Sequence, residues 1–227
     1  MKLTERLNAI TKLVTGKTVA DIGCDHGKVP IKLVLDGVCD KVIAADVNKG
    51  PVEACIKNVK AYGFDDIIDV RCGDGIKVLE PNEVETIIIA GMGGELISTI
   101  LSEKENVAKS AKELILQPMT SEESLREYLQ NNGFAIENEV LAKEGSKIYV
   151  IIRAVKGVSD EYIYFPEKLK DNEKHLIDAY YEKVTKRLND KIKGSVLDSK
   201  PEYEKELNLI LNKVREIYEN ITNSKID

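Results

Sequence analysis

Two segments in the first half of the chain set carboxylates beside glycines, Asp21-Ile22-Gly23-Cys24-Asp25-His26-Gly27 and Gly73-Asp74-Gly75, and between them a third acid, Asp46, is followed by Val47. Glycine permits tight turns and lets backbone approach a bound molecule closely. The first segment is not the dinucleotide pattern G-x-G-x-x-G, because Cys24 and Asp25 follow Gly23 where a second glycine would stand. Acid in such a loop opposes a pyrophosphate, which needs neutral backbone donors. The loop therefore disfavours NAD and suits a ligand with cationic parts.

S-adenosylmethionine, with its sulfonium and α-ammonium groups, is such a ligand. Asp46 lies 23 residues beyond Gly23, where an acid commonly accepts hydrogen bonds from a ribose diol. Asp74, between two glycines, suits the exocyclic amine of an adenine. Two further segments are Ala90-Gly91-Met92-Gly93-Gly94 and Leu116-Gln117-Pro118-Met119. Methionine can wall an adenine flexibly, and Gln117 can make a polar contact or be merely structural. Each segment alone could be an ordinary turn; their shared position, just after predicted strands, favours a site.

Those strands come from the apolar pattern. Strands are expected over Thr18–Ile22, Lys41–Asp46, Ile67–Arg71, Glu85–Ala90, Glu113–Gln117, Phe134–Leu141 and Lys147–Val155. Helices are expected over Thr4–Val14, Pro30–Leu35, Pro51–Tyr62, Glu95–Leu101 and Ser121–Asn132. Alternation of strand and helix until about residue 132 implies a parallel, doubly wound α/β sheet, whose ligands bind beyond the carboxyl ends of the strands. The last two strands are joined by a short turn at Gly145, so they pair antiparallel. The outline is the seven-stranded, Rossmann-like methyltransferase sheet. After it, Leu169, Leu176, Tyr180, Val184, Leu188 and Ile192 form one apolar stripe, and Tyr203, Leu207, Ile210, Val214, Ile217 and Ile221 form a second with heptad spacing. They predict a helical hairpin, coiled-coil-like, whose tip is punctuated by Gly194 and Pro201. The expected division is a sheet domain over 1–157 and a hairpin domain over 158–227.

Composition narrows the classes. The chain has 227 residues, 33 basic and 39 acidic, a net charge of −6, and 43% hydrophobic residues. That is enough for a sizeable core, and it argues against a protein that coats nucleic acid through a general basic surplus. No apolar run is long enough to span a bilayer, and the N-terminus has no signal-peptide core, so no membrane association and a cytoplasmic location are expected. Cys24, Cys39, Cys55 and Cys72 form no C-x-x-C pair and read as reduced, small hydrophobes. With only two histidines as well, no metal is expected.

The chain resembles the bacterial tRNA adenine-22 N1-methyltransferases. The resemblance rests on Asp21-Ile22-Gly23-Cys24-Asp25-His26 with Pro30, Gly73-Asp74-Gly75, Ile89-Ala90-Gly91-Met92-Gly93-Gly94 and Leu114-Ile115-Leu116-Gln117-Pro118. Leu125-Arg126, Gly133-Phe134 and Lys147-Ile148-Tyr149 add to it. Cys24 and Asp46 stand where serine and glutamate are expected. The resemblance implies methyl transfer from S-adenosylmethionine to adenine N1 in tRNA. The cofactor contacts expected are Asp21, Gly23, Asp25, Asp46, Val47, Gly73, Asp74, Gly75, Ala90, Gly91 and Met92. Asp25 is the expected catalytic carboxylate. For His26, assisting it and bracing the loop are both open. The absence of an Asn/Asp-Pro-Pro-aromatic segment weighs against methylation of an exocyclic amine. Substrate contacts are expected from Arg6, Lys28, Lys32, Gly93, Gln117 and Pro118, with the target base extruded to reach them.

Lys183, Lys186, Arg187, Lys191 and Lys193 could add to an RNA surface, though a solvated helix face is the commoner outcome. His175, Tyr180 and Tyr181 are expected to pack between helices. The hairpin satisfies its own apolar stripes, so a monomer is expected. Two other functions share this fold: methylation of a small molecule or protein, and non-catalytic RNA binding. The intact glycine-acid loops weigh against the second.

Overall fold

The computed structural model describes residues 1–224, so the last three residues of the expected hairpin domain lie outside the described residues. The elements run α1 (Glu5–Leu13), β1 (Thr18–Ile22), α2 (Lys28–Leu35), β2 (Lys41–Asp46), α3 (Lys49–Tyr62), β3 (Ile68–Cys72), β4 (Thr86–Met92), α4 (Gly94–Glu103), α5 (Glu105–Ser110), β5 (Glu113–Pro118), α6 (Glu122–Asn131), β6 (Phe134–Glu144), β7 (Lys147–Lys156), α7 (Lys174–Leu197) and α8 (Pro201–Asn223). The strands form one seven-stranded sheet in the order β3-β2-β1-β4-β5-β7-β6. The strands β1 to β5 pair in parallel, and β7 is antiparallel to both β5 and β6. All seven expected strands are present, and the hairpin strands run longer than their apolar cores suggested.

Alternation along β4 distributes the sheet between two apolar layers. Ile87 and Ile89 face the layer formed by α4, α5, α6 and the C-terminal helices. Ile88 faces the layer formed by α1, α2 and α3. A strand apolar on both faces must be central, and β4 is the middle strand of the order above. Among the described residues no helix is long and apolar enough to cross a membrane.

The hairpin differs in detail from its sequence pattern. Gly194 lies within α7, and the turn falls at Asp198–Lys200, where Ser199 takes φ 56. A glycine near a helix end is tolerated when the helix is held by packing. Leu169 sits in a single 3-10 turn over Glu167–Asp171, ahead of α7, and Ile177 and Leu211 are buried members that the stripes omitted. Tyr180 is buried and Tyr181 stacks on Tyr218 at 3.9 Å, but His175 is exposed and pairs with Glu173 at 3.3 Å instead of packing. Tyr203, at the start of α8, is exposed as well.

Candidate active site

The carboxyl ends of β1, β2, β3 and β4 open onto a cleft of ≈ 280 Å³, walled on the far side by α4. Of the expected cofactor contacts, Gly23, Asp46, Val47, Gly73, Asp74, Gly75 and Met92 line it. Backbone geometry explains the glycines. Gly23 has φ +78, and a Cβ there would collide with the Met92 methyl. Gly23 and Cys24 both donate their N–H groups to the Ala45 carbonyl, at 2.8 and 3.0 Å, so the loop folds tightly onto β2.

Four expected contacts stand apart from the cleft lining. Asp21 is buried behind the loop, Asp25 projects beyond it, and Ala90 packs against the α1–α3 layer. Gly91, at φ +82, sits in a bulge where the β4–β5 register shifts between Ala90 and Met92. Leu96, Thr99, Ile100 and Glu103 complete the wall and were missed. Their spacing along α4 is one helical face, so the signal was present but had no strand end to attract attention to it.

The electrostatics favour a cationic ligand. Burial, helped by the nearby Asp46, pushes the Asp21 carboxyl up to about 7. A positive group placed against Asp21 and Asp46 would relieve that cost, so the residues fit S-adenosylmethionine. Asp46 uses Oδ1 to accept the Asn48 N–H at 2.9 Å. Lys77 holds Asp74 Oδ2 at 2.6 Å and Glu103 at 3.0 Å, tying β3 to the end of α4 across the cleft.

Asp25 adopts φ 47, a left-handed conformation that aspartate tolerates better than most residues. Its side chain is 68% exposed, with Oδ1 3.6 Å from His26 Nε2. The His26 carbonyl accepts from Asn58 Nδ2 at 2.9 Å, so backbone contacts brace the loop while the imidazole faces Asp25. Cys24 and Cys55 are buried together beneath the loop; their mutual hydrogen bond and burial raise the Cys24 thiol. Cys39 is also buried, whereas Cys72 is exposed and departs from the expected role of a small core residue.

The expected substrate contacts divide more sharply. Lys28 is exposed and, among the described residues, unpaired, whereas Lys32 pairs with Asp36 at 2.5 Å. Gly93 caps α4, and its neighbour Gly94 is pressed against the Thr120–Ser121 backbone, where no Cβ would fit. Arg6 and Gln117 face each other, and Arg6 is only partly exposed. Gln117 is fully buried, and Arg6 Nη1 donates to its Oε1 at 2.7 Å. An expected substrate contact is thus committed to an internal hydrogen bond, because α1 packs against the sheet and directs Arg6 inward.

The basic cluster on α7 is partly consumed in the same way. Glu122, buried at the start of α6, accepts Lys183 at 2.5 Å and Arg187 at 2.6 Å. Burial alone would raise its carboxyl, but the two cations bring it down to about 2. Lys191 pairs with Glu123. Lys186 stays unpaired among the described residues and, with Lys143 and Lys147, borders a groove of ≈ 940 Å³ between the β6–β7 turn and α7. Met119, Ile148 and Tyr149 also line it, so the groove reaches the carboxyl end of β5.

A methyltransferase-domain family matches residues 3–152. A tRNA (adenine(22)-N(1))-methyltransferase of Bacillus subtilis is 35% identical over 161 residues, covering 70% of this chain and 68% of the relative. A solved structure of a candidate tRNA (m1A22) methyltransferase from Streptococcus pneumoniae, in complex with S-adenosyl-L-methionine, superimposes with a TM-score of 0.83 at 30% identity, over 96% of this chain and 100% of that one. The Bacillus subtilis m1A22 tRNA methyltransferase structure gives a TM-score of 0.77 at 26% identity, over 96% and 99% of the two chains. The likeness thus extends through the C-terminal helices as well as the sheet, and the chain belongs to the S-adenosylmethionine-dependent tRNA (adenine(22)-N(1))-methyltransferase family.

Proposed function

We propose that this chain methylates N1 of adenine 22 in tRNA. The observation that carries the reading is the cleft at the ends of β1 to β4, with Gly23, Asp46 and Asp74 at its edge, in a fold that matches an S-adenosylmethionine complex over its full length. Bound there, S-adenosylmethionine supplies an electrophilic methyl group. Asp46 accepts ribose hydroxyls through Oδ2, which leaves Oδ1 to the Asn48 N–H, and Asp74 accepts an adenine amine through Oδ1, which leaves Oδ2 to Lys77. Gly73 and Gly75 let the β3 end approach closely, Val47 and Met92 supply apolar walls, and Asp21 complements positive charge from behind the loop.

Adenine N1 is a neutral lone pair, so no strong base is needed to create the nucleophile. Catalysis then rests on placing that nitrogen in line with the methyl group. Methylation makes the ring cationic. Asp25, exposed beside the cleft, stabilises this charge and takes a proton from the exocyclic amine, with His26 placed to share it. Gly93 and Pro118, at the ends of β4 and β5, form the wall for the extruded base. Lys28 and the unpaired Lys143, Lys147 and Lys186 contact phosphates, with the RNA lying in the groove along α7. Residues 1–157 thus hold the cofactor and share the tRNA with the hairpin domain over 158–227, which adds Lys186. A tRNA substrate implies a cytoplasmic enzyme. The inward-facing apolar stripes of α7 and α8 support a monomer.

The test is incubation with S-adenosylmethionine and unmodified tRNA, followed by digestion and mass spectrometry. The expected product is 1-methyladenosine at position 22, lost when that adenine is replaced by guanine. Absence of 1-methyladenosine in every tRNA tried overturns the reading.

A further inference from the structure

We propose that Arg6 is a positioning residue for the methyl transfer, acting through the side-chain amide of Gln117. The inference rests on the function proposed above and adds a residue from outside the sheet.

Arg6 lies on α1 with its side chain 19% exposed; Glu144 Oε2 sits 3.3 Å from its Nε, and its guanidinium lies 5.5 Å from the centre of the Tyr149 ring. Its Nη1 meets Gln117 Oε1 at 2.7 Å. Arginine carries only donors, so it can donate only to the oxygen end of an amide. The contact therefore fixes which way round the fully buried Gln117 amide sits. With Oε1 taken, Nε2 must point the other way, and it donates to the Pro118 carbonyl at 2.7 Å and approaches the Met119 sulfur at 3.6 Å. Reversed, the amide would set its oxygen against the Pro118 carbonyl and leave two buried acceptors without a donor, which is costly.

Pro118 and Met119 are where β5 meets the site. Pro118 pairs with Met92 across the bulge, and the Met119 N–H donates to the Met92 carbonyl at 2.8 Å. Met92 lines the cofactor cleft and stands over Gly23. A line of contacts therefore runs from Arg6 through Gln117 and Pro118–Met119 to Met92. It sets the corner against which the target base must rest. Methyl transfer is sensitive to sub-ångström placement of the attacking atom, so loosening this corner lowers turnover more than binding.

Two variants separate this role from the alternatives. Arg6→Ala removes the donor. Gln117→Glu keeps a partner for Arg6, as an ion pair, but has no N–H to give Pro118. Each is expected to lower kcat at least about tenfold, with tRNA KM and S-adenosylmethionine Kd within about twofold of wild type. Arg6→Lys should restore most of the rate, because an ammonium also donates to the amide oxygen. Amide hydrogen exchange at Met119 should quicken at least about tenfold in Arg6→Ala and Gln117→Glu. That readout needs no activity, so it judges the inference even if no tRNA is methylated. An unchanged kcat in Gln117→Glu would overturn the proposal. So would an Arg6→Ala variant with normal kcat, a raised tRNA KM and a flatter salt dependence, since that marks a phosphate contact. Unaltered Met119 exchange in both variants would overturn it as well.

Discussion

Arg126 and Glu139, neither with any solvent exposure, close a two-armed ion pair with 2.8 Å contacts on each arm. Two of the three remaining donors are also used: Arg126 Nη1 gives to the Ile163 carbonyl at 2.7 Å and Nη2 to the Tyr180 hydroxyl at 3.0 Å. The pair thereby fastens α6 and β6 to the segment entering α7 and to α7 itself. Removing one partner strands a buried charge. Glu139→Gln or Arg126→Met should each cost about 3–5 kcal/mol in urea unfolding, whereas the apolar double replacement Arg126→Met with Glu139→Leu should cost much less. Equal losses in single and double variants would show that packing, not the stranded charge, sets the cost.

The raised Asp21 carboxyl predicts a pH dependence. Its folded value of about 7 lies above the ordinary 3.8. Its contribution to stability is therefore complete below 3.8 and disappears as pH rises through about 7. Bound positive charge favours the ionised form. Affinity for S-adenosylmethionine should rise from pH 6 to pH 8, with proton release on binding seen by calorimetry in buffers of different ionisation enthalpy. Asp21→Asn should abolish both effects.

Asp25 is exposed and hydrogen-bonds no structural partner that its loss would strand. Asp25→Ala should keep the melting temperature and cofactor affinity of the wild type and lose about 10²-fold or more in single-turnover methylation. A rate within a few-fold of wild type would remove Asp25 from the chemistry.

The groove lysines should act through salt. Lys147→Ala and Lys186→Ala should each weaken tRNA binding and reduce the slope of log affinity against log salt by about 1. Lys183→Ala should behave differently. Its Glu122 partner is buried, so the dominant effect should be a lower melting temperature.

Fold and cleft were largely legible because both follow local rules. The isoleucine run of β4 could only be central, and glycine-acid turns after parallel strands mark a ligand edge. What stayed hidden depends on directions that only packing fixes. Nothing in the spacing says that Arg6 turns inward to Gln117, or that Glu122 draws in Lys183 and Arg187. The α4 wall of the cleft was overlooked for another reason: Leu96, Thr99 and Ile100 share one helical face, but no strand end lies beside them in the sequence to draw attention to it. The short α5 escaped because the expected helix stopped at Leu101 and the six residues Glu105–Ser110, with only Val107 and Ala108 buried, are too few to show a helical period.

One apolar cluster contains Ile87 and Ile89 of the central strand together with Tyr180, Val184 and Leu211 of the terminal helices. The helical arm therefore cannot melt while the sheet stays intact, and calorimetry should record a single transition. It also means that damage far from the cleft, such as a cavity at Leu211, is transmitted as a loss of active molecules. A screen for inactive variants in this protein would gather hits along α7 and α8 that never meet RNA, and only a measurement of the folded fraction would tell them from hits in the groove.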